Sequence, residues 1–315
     1  MTRRNLIIIH RGPDYEADFD AISQKVFALD DDITIYSVPA KLEAQLPPEV
    51  WRHPTLTVAL TTDYRLKIAR GPILANRAID KITQAKRMQE AGIAVPPTLP
   101  FQFGMKLDPI MFGSHVLIKP RDLAFTTKGD GIDVFRRERL QELRPGDFPA
   151  DHLIHQARHG YLVQRFIDTG RHAASIRVAV FLGKIIYSLT YIADDETPPP
   201  ASCDDAMLAA HSFTQKGKRQ MIFREFPVES EIALKIADVF PDIPLLGIDF
   251  VADHTTGKPY CLEVNAGGNS WHFSSKLWAQ RRAEIPELAA QMKNQLGAFD
   301  IAARALVEKT HALAA

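Results

Sequence analysis

The stretch that most constrains the fold is a pair of apolar runs, residues 246–252 and 260–264, joined by the turn-forming segment His254-Thr-Thr-Gly-Lys-Pro259. Two such runs on either side of a glycine-bearing turn specify a β-hairpin. With the turn centred near Thr256, Asp249 falls opposite Glu263, seven residues to either side. Asn265 shares a face with Glu263, because side chains two apart on a strand point the same way. Two carboxylates and an amide thus converge on one patch of sheet, a donor set suited to Mg2+. An ordinary hairpin can also carry two solvent-facing acids and a capping asparagine. Here, however, Asn265 opens into Ala266-Gly-Gly-Asn269, and glycine loops at strand ends often hold sites.

The remaining chain reads as α/β. At 315 residues it is long enough for two or three lobes around a substantial core. Strands at 6–10, 33–38 and 56–60 alternate with a helical segment at 18–29, the pattern of a parallel sheet. Residues 76–91 form a helix with Ala78, Ile82, Ala85 and Met88 on its apolar stripe, stopped by Gly92. Short strands follow at 115–119, 132–135, 161–167, 175–181 and 185–191. Residues 194–220 contain Thr197-Pro-Pro-Pro200 and lack periodicity, which predicts a long mobile surface loop. A helix at 229–240 precedes the hairpin, and residue 286 onward reads as helical. The expected division is 1–78, an N-terminal α/β unit; 79–165, a helix with a lid subdomain; and 166–315, a core lobe with the metal site.

Charge excludes some partners. Lys plus Arg and Asp plus Glu number 38 each, so nothing favours nucleic acid or an acidic membrane as the main partner. No apolar run is long enough to span a bilayer, and the four-residue run after Asn5 is too short for a signal-peptide core. Cys203 and Cys261 sit in no metal-type spacing, so a reducing cytoplasm is the expected setting.

Further features point to phosphate handling. Lys119 ends an apolar strand, and Thr126-Thr-Lys-Gly-Asp-Gly131 offers hydroxyls and backbone N–H groups with glycines for close approach. Neither a Walker A sequence nor G-x-G-x-x-G is present. Taken alone, the loop is better explained as a plain hairpin turn, and Lys119 as a strand residue whose ammonium reaches solvent. Gln164-Arg-Phe-Ile167-Asp168 closes an apolar strand with an acid, a pattern compatible with an adenine hinge and a ribose contact. Arg177 lies inside the apolar strand at 175–181, where its charge requires a carboxylate or phosphate partner.

In this order, the pieces resemble the ATP-grasp superfamily, and most closely its carboxylate–amine ligase branch. The resemblance runs from Asn76 to Ser270. It includes Asp80-Lys81, Lys86, Gly92-Ile-Ala-Val-Pro96, Ile118-Lys119-Pro120, Arg177, Gly183-Lys184, Gly247-Ile-Asp249 and Leu262-Glu263-Val-Asn265. It implies a two-lobed ATP-grasp fold behind a pre-ATP-grasp α/β domain. Lys86 and Lys119 then resemble the ATP-phosphate lysines. Thr126, Thr127, Lys128, Gly129 and Gly131 resemble the lid, and Gln164, Arg165, Phe166, Ile167 and Asp168 the adenine and ribose contacts. Lys119 and Arg177 act on the transferred phosphoryl group, Asp249, Glu263 and Asn265 hold Mg2+ (or Mn2+), and Gly267, Gly268, Asn269, Ser270 and Trp271 meet substrate. The implied cofactors are ATP and Mg2+, and the implied partners are a small carboxylate and an amine. Family members commonly dimerise, so a homodimer is compatible with the resemblance.

One departure bars transfer of substrate identity. Near relatives carry an arginine after the strand that follows the Gly-Lys turn, and here that region reads Ser188-Leu-Thr-Tyr191. Two rival readings follow. An ATP-grasp kinase acting on a hydroxyl would use a basic pocket, for which Arg165, Arg171, His172, Lys216, Lys218 and Arg219 are available. A non-catalytic ATP-binding module would need fewer charged groups than this chain carries.

Overall fold

The computed structural model describes residues 3–40, 46–62, 70–121, 131–210, 218–266 and 270–315, and these form three sheets. The first is parallel, in the order β2 (Ile33–Pro39), β1 (Arg4–His10), β3 (Thr55–Ala59), β4 (Ile73–Ala75). Residues 5–10 are buried throughout, as expected of a central parallel strand covered on both faces. The connection between β1 and β2 is α1 (Glu16–Leu29), whose Phe19, Ile22 and Val26 face the core.

The helix expected at 76–91 begins later, as α2 (Lys81–Glu90). Asn76 is tied to a sheet instead, its amide oxygen accepting the Leu245 N–H at 3.2 Å. Asp80 is the N-cap and accepts from the N–H groups of Ile82 and Thr83, both at 3.1 Å.

The second sheet is antiparallel, in the order β5 (Thr98–Pro100), β8 (Tyr161–Arg165), β6 (His115–Pro120), β7 (Asp133–Arg136). One face carries Val116, Ile118, Tyr161 and Val163, packed on Leu140 and on Phe112 of the short helix α3 (Pro109–Phe112). Leu117, Lys119 and Gln164 alternate onto the other face.

The third sheet is antiparallel, in the order β11 (Arg219–Phe223), β10 (Lys184–Glu196), β9 (His172–Phe181), β12 (Leu245–Ala252), β13 (Pro259–Asn265). The segment expected to be a mobile loop at 194–220 is largely ordered among its described residues. β10 runs on to Glu196, and α4 (Asp205–Ala210) packs against β7. Cys203 and Leu208 bury themselves with Val134, Leu117 and Phe166, on the Lys119 side of the second sheet. A few isolated apolar residues in a proline-rich stretch create no periodicity, so this docking left no sequence pattern.

One face of the third sheet, including Val178, Val180, Ile248 and Phe250, packs on α5 (Pro227–Val239) and on Met88 of α2. The other face divides. Phe181, Tyr187, Leu189 and Leu245 join the N-terminal core, while the far end is polar. The C-terminal helical region is broken into α6 (Ala279–Glu284), α7 (Leu288–Asn294) and α8 (Ala298–Leu313), the last starting after Gly297 at φ +72°. α8 returns to α1, with Ala302, Ala303 and Leu306 in the same core.

α2 also closes the open edge of β13. Gln84 donates to the Val264 carbonyl at 2.9 Å and accepts the Val264 N–H at 2.9 Å, standing in for a missing strand. Gln84→Ala leaves both backbone groups buried and unpaired. The expected loss is about 3 kcal/mol of unfolding free energy, measured by denaturant titration, and a loss under about 1 kcal/mol would show that water replaces the amide.

Candidate active site

The hairpin register places Asp249 opposite Glu263 and Gly247 opposite Asn265, as its spacing predicts. On the other side of β12, β9 sets Arg177 opposite Asp249. Arg177, Asp249 and Glu263 therefore form one row across three strands, with Asn265 a step along the same face. Arg177 donates from Nε and Nη2 to the two oxygens of Asp249, each at 2.7 Å. The Asn265 amide donates to Asp249 at 2.8 Å and approaches Glu263 at 3.5 Å. Gly247 leaves room for Ser270, whose hydroxyl donates to the Asn265 carbonyl at 3.0 Å; a Cβ on Gly247 would lie 2.4 Å from that hydroxyl.

Two lysines stand beside these acids. Asp80 caps α2 with one oxygen and takes Arg121 on the other, at 3.2 and 3.0 Å, so the helix start is fixed to the end of β6. That anchoring carries Lys81 to Glu263, with Nζ 3.2 Å from Oε2. Lys81, aided by Lys119 and opposed by burial, holds the Glu263 carboxyl well below the usual range. Lys119 itself is 7% exposed. Burial first, and Lys81 second, push its ammonium down to about 8, with Glu263 and Asp249 acting in the opposite sense.

Lys86, expected at the phosphates, is exposed and lies 3.9 Å from Glu90. Five residues from Lys81 along α2, it sits roughly 140° around the helix. The residue at the site is Lys81, and the Asp80 cap was the sequence signal for it. A second correction concerns Trp271, expected to meet substrate. It is fully buried, stacks on Phe19 at 4.9 Å between centroids, and donates from Nε1 to Asp18 at 3.0 Å. Its large apolar surface is used to join the N-terminal unit to the core sheet. Ser270 is likewise buried against Gly247. Gly267, Gly268 and Asn269 lie outside the described residues, as do Thr126, Thr127, Lys128 and Gly129 of the expected lid. Gly131 has φ +68°, and a Cβ there would stand 2.5 Å from the Tyr161 hydroxyl, so its glycine serves local packing.

Behind Arg177 lies a buried relay. Arg177 Nη1 is 3.5 Å from His272 Nε2, and His272 Nδ1 is 2.7 Å from the Tyr187 hydroxyl, which donates to the Ser270 carbonyl at 3.1 Å. A guanidinium only donates, so Nε2 is the acceptor and the His272 proton sits on Nδ1. His272 stacks on Trp278 at 4.1 Å, and Arg282 ties down the carbonyls of His272, Ser274 and Ser275. Burial opposes the Arg177 charge and Asp249 more than offsets this, so the guanidinium is held above its already high ordinary value.

In the expected adenine hinge, Gln164 is buried on the Lys119 face and donates to Thr98 at 2.8 Å; its Oε1 has no partner among the described residues. Arg165 alternates to the opposite face, beside Val116, while Phe166 packs with Cys203 and Leu208. Ile167 is buried, and Asp168 accepts the Gly170 N–H at 2.9 Å. Of the basic residues of the kinase reading, Arg165 lies on the second sheet, whereas Arg171, His172, Lys218 and Arg219 all adjoin the end of β10. Arg171 pairs with Glu196 at 2.6 Å at the surface, the His172 ring contacts the Ala193 carbonyl, and Lys216 lies outside the described residues.

No family model matches the sequence, and no curated protein matches it. The likeness lies in three dimensions. A RiPP-associated ATP-grasp ligase from Chryseobacterium gregarium, solved with ADP and a leader and core peptide, is 13% identical with a TM-score of 0.56, covering 98% of this chain and 97% of that one. A macrocyclase from Microcystis aeruginosa, bound to its precursor peptide, is 12% identical with a TM-score of 0.52, covering 96% and 99%. D-cycloserine synthetase is 14% identical with a TM-score of 0.50, covering 97% and 99%. The chain has the ATP-grasp fold. Among the described residues no helix is long and apolar enough to cross a membrane.

The Lys119 shift has a defined consequence for stability. The unfolded chain keeps this proton up to 10.5 and the folded one only to about 8. Between those values the unfolded state binds more protons, so stability rises with pH. Relative to Lys119→Met, the wild type should gain up to about 3 kcal/mol across that window, followed by chemical unfolding at several pH values. A flat difference would mean that Lys119 is solvated in the folded state.

Proposed function

We propose that this protein is an ADP-forming ligase that joins a carboxylate to an amine through an acyl-phosphate. The observation that carries the reading is the row Arg177–Asp249–Glu263, with Asn265 on the same face and Lys81 and Lys119 beside it. Such a site combines fixed cations for phosphate oxygens with hard oxygen donors. The orphan Gln164 Oε1 supports ATP in particular, since a buried acceptor on the Lys119 face can take the exocyclic amine of adenine. The ATP-grasp neighbours, one of them solved with ADP, agree with it.

Asp249, Glu263 and the Asn265 amide oxygen fit a divalent cation, Mg2+ or Mn2+, by donor chemistry. When bound, that ion neutralises phosphate charge and polarises the γ-phosphoryl group. Lys119 and Lys81 neutralise phosphate oxygens. Arg177, held in one orientation by Asp249 and His272, faces the transferred group. A substrate carboxylate oxygen attacks the γ-phosphorus, the bond to the β,γ-bridging oxygen breaks, and ADP departs with that electron pair. An amine nitrogen then attacks the acyl carbon, an oxyanion forms beside the cations, and its collapse expels phosphate as the amine gives up a proton. Deep placement of Lys119 limits water beside the acyl-phosphate.

The test is Mg·ATP with pooled small carboxylates and hydroxylamine as the trapping amine. The expected products are ADP and a hydroxamate, and Glu263→Gln should slow their formation by roughly a hundredfold or more. ADP appearing only with a hydroxyl acceptor would identify a kinase. AMP with pyrophosphate would exclude the acyl-phosphate route. Undiminished turnover in the Gln variant would remove Glu263 from the metal set.

A further inference from the structure

Gln164 owes its orientation to two neighbours. Val95-Pro-Pro-Thr98 enters β5 through two prolines, whose fixed φ stiffens the backbone there, and Pro96 is buried. A buried carbonyl needs a donor, and the Thr98 hydroxyl supplies one, reaching the Pro96 oxygen at 2.7 Å. β5 sets Thr98 directly opposite Gln164 on β8, so the two side chains share a face. Gln164 donates from Nε2 to Thr98 Oγ1 at 2.8 Å.

The direction of these bonds is dictated. A hydroxyl has a single proton. Thr98 gives it to Pro96, and its oxygen is left only to accept. A reversed Gln164 amide would set Oε1 against an oxygen with no proton to offer. Oε1 is therefore turned away from Thr98, buried on the Lys119 face and without a partner among the described residues. Lys119 lies one pleat further along that face, because Leu117 is opposite Gln164 and Lys119 is opposite Leu162.

An amide oxygen repels phosphate oxygens. A nucleotide on this face consequently places its phosphates at Lys119 and a hydrogen-bond donor at Gln164. The 6-amino group of adenine is such a donor. The 6-keto oxygen of guanine or hypoxanthine is an acceptor, and its approach leaves two oxygens desolvated and unpaired.

We infer that Thr98 is a positioning residue that sets nucleotide specificity: held by the Pro96 carbonyl, it fixes Gln164 as an acceptor, so that the site takes 6-amino purine nucleotides and rejects 6-keto ones. Thr98 acts through Gln164 and not on the reacting atoms. The inference rests on the nucleotide placement in the ligase reading and adds to it what selects the base.

The experiment measures Kd for Mg·ADP and Mg·IDP on the full chain by titration calorimetry, with no other substrate present. The wild type should prefer ADP by roughly thirtyfold or more. Thr98→Val keeps the side-chain shape but leaves Nε2 without its acceptor, so the amide can turn an N–H toward the base. The ADP/IDP preference should then fall by roughly fivefold or more. Thr98→Ser retains the hydroxyl and should return the preference to near the wild-type value. Gln164→Leu offers neither donor nor acceptor; it serves if the valine variant misfolds, and should leave a preference within roughly threefold of one. A purely structural role for Thr98 would weaken both nucleotides alike and leave their ratio unmoved. A wild-type ratio near one, a ratio unchanged in both Thr98→Val and Gln164→Leu, or a Thr98→Ser ratio as low as that of Thr98→Val would overturn the inference. In each of those cases, retained ADP binding leaves the ligase reading standing. Failure of the wild type to bind either nucleotide removes both.

Discussion

The site depends on the bidentate pair between Arg177 and Asp249. An arginine in the middle of an apolar strand is tolerated only if its charge is met, and Asp249 meets it from the adjacent strand with both oxygens at 2.7 Å. Removing either partner would strand the other charge in a buried place, at a cost of roughly 3–5 kcal/mol. The pair also fixes the shared register of β9 and β12, because a one-residue slip would send the two charges to opposite faces. Asn265 and Glu263 then follow from the hairpin, and Lys81 and Lys119 are drawn in by the acids.

Around that pair the molecule spends its large apolar side chains on joining units. Trp271 is the clearest case: it comes six positions after Asn265 of the carboxylate strand, yet packs against Phe19 of α1 and hydrogen-bonds Asp18. The N-terminal sheet, α8 and the apolar end of the core sheet consequently share one cluster. The segment after β10 does the same for the second sheet, through Cys203 and Leu208. The polar face is thus bordered by packed material, with β12 and β9 as a rigid floor beneath it.

Much of this was legible from local pattern. Strand and hairpin periodicity anticipated the acids' register, and the apolar setting of Arg177 required a partner that proved to be Asp249. Lys81 was less visible. Helix phase decides between Lys81 and Lys86, and phase depends on where the helix starts, which the Asp80 cap and its tie to Arg121 determine.

The amino-acid sequence alone determined the α/β character, the hairpin with its three oxygen donors, and the need for a charge partner at Arg177. These follow from side-chain periods of two and 3.6 residues and from the cost of burying an unpaired charge. Tertiary structure decided which lysine meets Glu263 and that Trp271 is core rather than pocket. Those outcomes turn on where separate elements dock, and docking is set by shape and total apolar burial over the whole chain, which no local pattern records.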